Sequence, residues 1–291
     1  MSAVFLASEA LADGAVTRQD LRRRFVKLHQ NVYAPVGMEL SALDRAYAAY
    51  LWSRRKGVVA GVSAAALHGA RWMPADEPAE LTRVRSGTPP NIRIHRDTLL
   101  DDEVCLVQSI DCTTAARTAF DMGRRMPLEL AIIRIDSLLN ATRCPPAEIM
   151  ALAGRHPGVR GLRRLRKVLN LVDGGAESPQ ETRLRLVLVR GGLPRPVTQI
   201  PVTDAGGRVV RRIDLGWPSY RVGVEYDGGQ HWTDPRAHAE DIGRLEFLAA
   251  RGWIIVRVSA RHLRDVDDVL RRSESALRRR GWPGAPRLYG S

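Results

Sequence analysis

Arg212-Ile213-Asp214-Leu215-Gly216-Trp217-Pro218-Ser219-Tyr220-Arg221-Val222-Gly223-Val224-Glu225-Tyr226-Asp227-Gly228-Gly229-Gln230-His231 is the stretch that decides the reading of this chain. It reads as two strands joined by a short turn. Ile213 and Leu215 alternate with Arg212 and Asp214, and Val222, Val224 and Tyr226 alternate with Gly223, Glu225 and Asp227. Successive strand side chains point to opposite faces, so Asp214 falls on one face of the first strand while Glu225 and Asp227 share a face of the second. Pro218 suits an early turn position. Paired as a hairpin, the strands could bring three carboxylates to one patch. Such crowding is costly unless a cation or a basic neighbour offsets it. A hard divalent cation such as Mg²⁺, with Mn²⁺ as a substitute, accepts carboxylate oxygens and can activate water toward a phosphodiester. The plain alternative is a charged sheet edge.

Upstream, Ser178-Pro179-Gln180-Glu181 opens a helix with Ser at the N-cap, Pro at the first position and Glu at the third, a capping box. Glu181 shares a face with Leu184 and Leu188, and Gly191-Gly192 ends the helix. Strands are predicted near 197–202, 209–215 and 221–227. A helix over 236–250 follows, with Ile242, Leu245, Leu248 and Ala249 as its apolar stripe. A buried strand at 254–258 and a basic amphipathic helix at 262–279 complete the order α-β-β-β-α-β-α.

Several pieces of this third of the chain resemble the very-short-patch-repair-like branch of the PD-(D/E)xK nucleases. They are Ser178-Pro179-Gln180-Glu181, Ile213-Asp214-Leu215-Gly216-Trp217-Pro218, Val224-Glu225-Tyr226-Asp227-Gly228 with Gln230-His231, and Asp241-Ile242-Gly243-Arg244 leading to Gly252-Trp253-Ile254-Ile255-Val256-Arg257-Val258. The resemblance implies a restriction-endonuclease-like αβββαβ domain over 176–281 and a Mg²⁺-dependent endonuclease acting on DNA. Asp214, Glu225 and Asp227 would then form the metal site with Glu181 as an outer ligand. His231 would serve as general base or polarise the phosphate, and Gln230 would position water or phosphate. The superfamily pattern ends in Glu-x-Lys. Asp227 stands at that Lys position, and the resembled branch also lacks the Lys.

The chain has 291 residues, a length for two or three domains. Its net charge is +13, nearly all of the positive charge being arginine, which favours a polyanionic partner, most simply duplex nucleic acid. An arginine-rich composition bias would give the same excess without any such contact. Cys105, Cys112 and Cys144 are scattered and form no C-x-x-C pair, which argues against a zinc or disulfide framework and fits a reducing cytoplasm. Glu9 interrupts the mildly apolar N-terminus, which has no basic leader, and no run is long enough to span a bilayer.

From the N-terminus, a short helix over residues 2 to 12 ends at Asp13-Gly14. Thr17-Arg18-Gln19-Asp20 caps a second helix running through Leu21 and Phe25, and 26–33 alternates like a small hairpin. Helix, helix and hairpin outline a winged helix over 1–40. With Val32-Tyr33-Ala34 closing it, the segment resembles the N-terminal domain of AbiEi-type antitoxins. In that reading Arg22, Arg23, Arg24 and Lys27 contact DNA; otherwise they are a solvated face.

Residues 41–172 read as an α+β middle domain. It has a helix over 40–55, a helix capped by Ser63 and ended by Gly69, and strands at 80–84, 91–95 and 104–108. His68, with no partner near it in sequence, reads as a packed or capping residue. Asp111 to Asp121 reads as a helix similar to the "R-T-x-x-D" helix of AbiEi-like proteins, and as scaffold. Helices over 127–139 and 146–154 precede a basic stretch in which Arg160, Arg163, Arg164, Arg166 and Lys167 flank the stripe Leu162, Leu165, Val168 and Leu169. That is either a phosphate-backbone track or a solvated face. Asp173-Gly174-Gly175-Ala176 is the linker candidate, and 282–291 a loose tail. Two functions compete: a metal-dependent DNA endonuclease with an N-terminal DNA-binding module, and an antitoxin-like DNA-binding regulator on a degenerate nuclease fold.

Overall fold

A computed structural model of the chain describes residues 3–82, 87, 89–228 and 235–284, with the backbone alone for 235–242. The chain divides into two units, Met1–Gly174 and Gly175–Ser291. The division falls inside the glycine-bearing stretch read as a linker. Among the described residues the fold is α+β, with eleven α-helices and three sheets.

The first unit begins with β1 (Phe5–Leu6) and α1 (Ala7–Ala12), so the apolar start that reads as helix opens as a strand. α2 (Arg18–Arg24) carries the expected capping box: Thr17 Oγ1 accepts the Asp20 N–H at 3.1 Å and the Asp20 carboxylate accepts the Thr17 N–H at 3.0 Å. β2 (Phe25–His29) and β3 (Val32–Pro35) pair with β1 in the antiparallel order β1-β3-β2. This sheet is too small to bury its own apolar face. Val4, Leu6, Val32 and Ala34 cluster with Ala48 and Leu51 of α3 (Ala42–Trp52), so the first forty residues share a core with the helix that follows them.

β4 (Val58–Val59), α4 (Gly61–Leu67), β5 (Ala79–Thr82), β6 (Ile92–His95), β7 (Val104–Val107) and β8 (Ile110–Thr113) follow. The five strands form one mixed sheet in the order β6-β5-β4-β8-β7. Residue periodicity does not mark β4 and predicts a helix over Asp111, Cys112 and Thr113. Gln108 and Ser109, at φ 51° and 63°, instead turn the chain back so that Cys105 pairs with Cys112. The helix begins only at α5 (Ala115–Arg125), with Thr114 as its cap. Ser63 is not a cap either. It lies inside α4, where its hydroxyl accepts the Glu80 N–H at 3.0 Å. Residues 83 and 84 of the predicted strand lie outside the described residues.

α6 (Leu128–Thr142), α7 (Pro146–Arg155) and α8 (Leu162–Leu169) complete the unit. α5 is tied down by a buried ionic knot. Arg117, 1% exposed, donates to the carboxylates of Glu103 and Asp121 and, at 3.0 Å, to the Thr98 carbonyl. Burial works to raise the Glu103 carboxyl, yet the His156 ring, the Leu100 N–H and Arg117 hold it below the usual range. The "R-T-x-x-D" helix is therefore held as scaffold.

The second unit runs α9 (Pro179–Arg190), β9 (Val197–Thr203), β10 (Val209–Trp217), β11 (Val222–Asp227), α10 (Pro235–Ala250), β12 (Ile254–Ser259) and α11 (Val266–Arg279). The sheet order is β12-β11-β10-β9. β9, β10 and β11 are antiparallel, and β12 returns parallel to β11 after the α10 crossover, as parallel neighbours require. Leu184 and Leu188 of α9 pack with Leu215, Trp217, Val224, Val256 and, from α11, Val269 and Leu277. Ile200, Val202 and Ile213 pack instead with Leu248 of α10, Phe247 and Ile255. The sheet is thus covered on both faces, and the order is the one the sequence predicts.

Candidate active site

β10 and β11 zip for three pairs only: Trp217–Val222, Gly216–Gly223 and Leu215–Val224. A Cβ on Gly216 would sit 2.4 Å from the Val222 carbonyl oxygen, and one on Gly223 would sit 2.7 Å from Ile213 Cγ2 and 2.8 Å from Ile255 Cδ1, so both positions favour glycine. Beyond Leu215 and Val224 the strands part. The next residues are Asp214 on β10 and Glu225 on β11, so these two acids stand at the mouth of a fork. There the Tyr226 N–H donates at 3.0 Å to the Asp214 side chain. The carboxylate takes the place of a main-chain acceptor across the opening.

Simple alternation along β10 fails at this point. Ile213 and Leu215, two residues apart, lie in different cores. Asp214 is where the strand changes face, which exposes it to acids from both sides. Burial pushes its carboxyl up to about 6, the Tyr226 N–H works against that, and the charges of Glu225 and Glu177 add to it while Arg244 opposes. Glu181 of α9 is also raised, first by burial and then by the charge of Asp214, against hydrogen bonds from the Glu177 N–H and from Ser178. Two carboxyls reluctant to ionise together are what a hard cation would relieve. On that ground the chemistry of Asp214 and Glu181 suits the expected Mg²⁺, although no three acids among the described residues bring their carboxylate oxygens within 4.8 Å of one another.

Ser178 caps the helix as expected, but the reciprocal half of a capping box is not formed, since the Glu181 carboxylate takes the N–H of Glu177 and not that of Ser178. Ser178 Oγ accepts the Glu181 N–H at 3.2 Å, and the Glu181 carboxylate takes the Ser178 hydroxyl at 2.8 Å and the Glu177 N–H at 2.9 Å. The same side chain then meets Gln199 Nε2 at 3.3 Å.

Convergence of three carboxylates on one patch is not what the structure shows. Glu225, 5% exposed, is paired with Arg244 at 2.7 Å, and Asp227 with Arg257 at 2.6 Å. Glu225 and Arg257 are register partners on β11 and β12. Each acid is turned to its own guanidinium, so the four acids are not gathered within 4.8 Å of one another in the way that His68, Cys105 and Cys112 are. Gln230 and His231 lie outside the described residues.

The amino-acid pattern alone assigns no role to Gln199, Arg244 or Arg257. Arg257 could have been found, because a parallel β11–β12 pair places a strand residue beside Glu225. Gln199 carries no such signal, since its placement depends on a local backbone distortion.

The group in the first unit is a core feature. The Cys105 and Cys112 sulfurs are 3.7 Å apart, burial pushes the Cys112 thiol far up, and His68 Nε2 is engaged with the Thr113 carbonyl at 2.8 Å. His68 is thus packed, as its sequence context suggests.

The basic residues named for DNA contact are exposed. Arg22, Arg23 and Arg24 line α2, with Arg24 3.9 Å from Asp20. Lys27 is not on that helix but on β2, opposite Tyr33. Arg160 precedes α8. On α8, Arg163, Arg164, Arg166 and Lys167 face outward while Leu165 and Val168 are fully buried. Arg164 also donates to the carbonyls of Arg125 and Met126 at 3.2 and 3.3 Å, at the end of α5. α8 belongs to the first unit, not to the unit that carries the fork.

No family model matches the chain, and no solved structure matches it. It is similar to two Mycobacterium tuberculosis sequences, "Uncharacterized protein MT2308" of strain CDC 1551 / Oshkosh and "Uncharacterized protein Rv2248" of strain ATCC 25618 / H37Rv. Each is 34% identical over 159 residues, covering 55% of this chain and 56% of the relative. The chain thus spans about half the length of the relatives it matches, and their names state no activity.

Proposed function

We propose that the second unit is a Mg²⁺-dependent DNA endonuclease, with Mn²⁺ as a substitute, and that the basic winged-helix segment of the first unit holds duplex DNA. The carrying observation is the fork between β10 and β11, where Asp214 is raised to about 6 beside Glu181 and Glu225. Asp214, Glu225 and Glu181 would hold the cation, with Asp227 supporting them. When bound, the cation lowers the pKa of water and stabilises charge on phosphate oxygens. Arg244 and Arg257, with about a third of each side chain exposed, are basic groups at the rim able to pair a phosphate oxygen. His231 would act as general base or polarise the phosphate, and Gln230 would position water or phosphate, as the nuclease resemblance implies. A cytoplasmic location fits this reading. No described helix is long and apolar enough to cross a membrane, so nothing in the helices points to a membrane partner.

One observation favours the second reading, an antitoxin-like regulator on a degenerate nuclease fold. Glu225 and Asp227 are already neutralised by arginines, and the usual Lys is Asp227. The deciding experiment is incubation of the purified chain with supercoiled plasmid, with and without Mg²⁺ or Mn²⁺, beside Asp214→Ala. The nuclease reading expects nicked or linear product that needs the metal and Asp214. Duplex binding without cleavage by the wild type would leave the regulator.

A further inference from the structure

Among the described residues ten non-glycine positions have positive φ. Nine lie in turns, loops or at helix ends, and only Gln199, at φ +49°, lies inside a strand. The left-handed region crowds the Cβ of an L residue, and strands have no use for it. Glycine takes that conformation freely, so a glutamine there keeps its side chain at a conformational cost.

Three facts about Gln199 converge on the fork. By register it falls opposite Asp214, between the pairs Ile213–Ile200 and Leu215–Thr198. It sits opposite the place where β10 changes face: there Leu215 packs with α9 and Ile213 with α10. Its side-chain amide donates to Glu181 Oε2 at 3.3 Å. The backbone distortion therefore lies opposite the change of face in its partner strand, and the amide it carries ends on Glu181 of α9. Backbone strain kept at a position whose side chain ends on a site is a mark of function when the surroundings over-determine it.

Resting on the endonuclease reading, we propose that Gln199 is a positioning residue of the metal site. Its left-handed backbone carries the change of face that presents Asp214 to α9. Its amide joins the Ser178 hydroxyl and the Glu177 N–H in fixing the rotamer of Glu181, the acid that α9 brings to the fork. Neither act requires Gln199 to touch substrate or cation.

The test uses the full chain and the variants Gln199→Gly and Gln199→Asn. Glycine keeps the left-handed backbone and removes the amide; asparagine tolerates that backbone and shortens the amide's reach. Three readouts are taken: the melting temperature in EDTA, Mn²⁺ affinity by electron paramagnetic resonance, and the Mg²⁺ concentration for half-maximal plasmid cleavage. Outer residues that orient metal ligands change affinity by about 10- to 100-fold. Gln199→Gly is expected to melt no lower than wild type, to bind Mn²⁺ about tenfold more weakly and to need about tenfold more Mg²⁺, with Gln199→Asn between the two. A residue that only props up the fold would lower the melting temperature and leave the metal dependence alone. Wild-type metal dependence in Gln199→Gly overturns the proposal while leaving the endonuclease standing. A wild-type protein that neither cuts nor takes up Mn²⁺ overturns the endonuclease reading itself, and this proposal with it.

Discussion

Replacing Asp214 by asparagine should make the metal-free protein more stable at neutral pH. In the folded chain burial and neighbouring acids raise its carboxyl from the ordinary 3.8 to about 6. The folded state therefore holds this proton more tightly than the unfolded state. Between pH 3.8 and about 6, raising the pH deprotonates the unfolded chain first and stability falls. Below 3.8 both states are protonated and the carboxyl costs nothing. Above about 6 the whole penalty is present, and a difference of that size corresponds to about 3 kcal/mol. Asparagine never ionises, yet keeps an oxygen to accept the Tyr226 N–H. Asp214→Asn should gain up to about 3 kcal/mol at pH 7.5 in EDTA, a rise of several degrees in melting temperature. The gain should vanish at pH 3.5. Calorimetry of both proteins at the two pH values measures it, together with the relief of Glu181, whose carboxyl the Asp214 charge raises and which adds to the gain in the same direction. Adding Mg²⁺ should raise the wild-type melting temperature and not the variant's. A variant less stable than wild type at pH 7.5, or a difference equal at both pH values, would refute the electrostatic account of the fork.

Reversing Arg22, Arg23 and Arg24 to Glu should weaken duplex DNA binding and flatten its salt dependence, measured by fluorescence anisotropy across a salt series; unchanged affinity would remove α2 from the DNA-binding account. Arg117→Ala should destabilise the chain by removing one of the cations on Glu103 and Asp121; because His156 stays on Glu103 and Arg124 on Asp121, the loss seen in denaturant titration should fall below the about 3–5 kcal/mol of a buried charge left wholly unpaired.

Local rules made much of this chain legible. The caps at Thr17 and Ser178 depend on residues three apart, and both are formed. The order of the second unit follows from apolar runs set between turn residues, and each predicted element there is present within a few residues. β4 and β8 were missed for a different reason. Each pairs with a partner distant in the chain or beyond a tight turn, and two to four residues carry no period of their own. At the site, the acids could be named because alternation puts Glu225 and Asp227 on one face. Alternation misled at Asp214, where the strand changes face, and no sequence pattern announces that. Nor does spacing reveal that Arg244 and Arg257 hold the acids apart, since the first reaches in from a helix and the second from a strand brought alongside after a crossover.

β9 is an outermost strand of its sheet, and Val-Thr-Gln-Ile-Pro-Val-Thr is by composition prone to recruit a neighbour. An incoming chain would need a continuous row of donors and acceptors along that free border. Pro201 offers no N–H, and two residues before it the backbone of Gln199 is twisted out of the extended form. The border is thus broken twice within three residues. The strand that supports the fork is thereby a poor template for edge-to-edge stacking of copies.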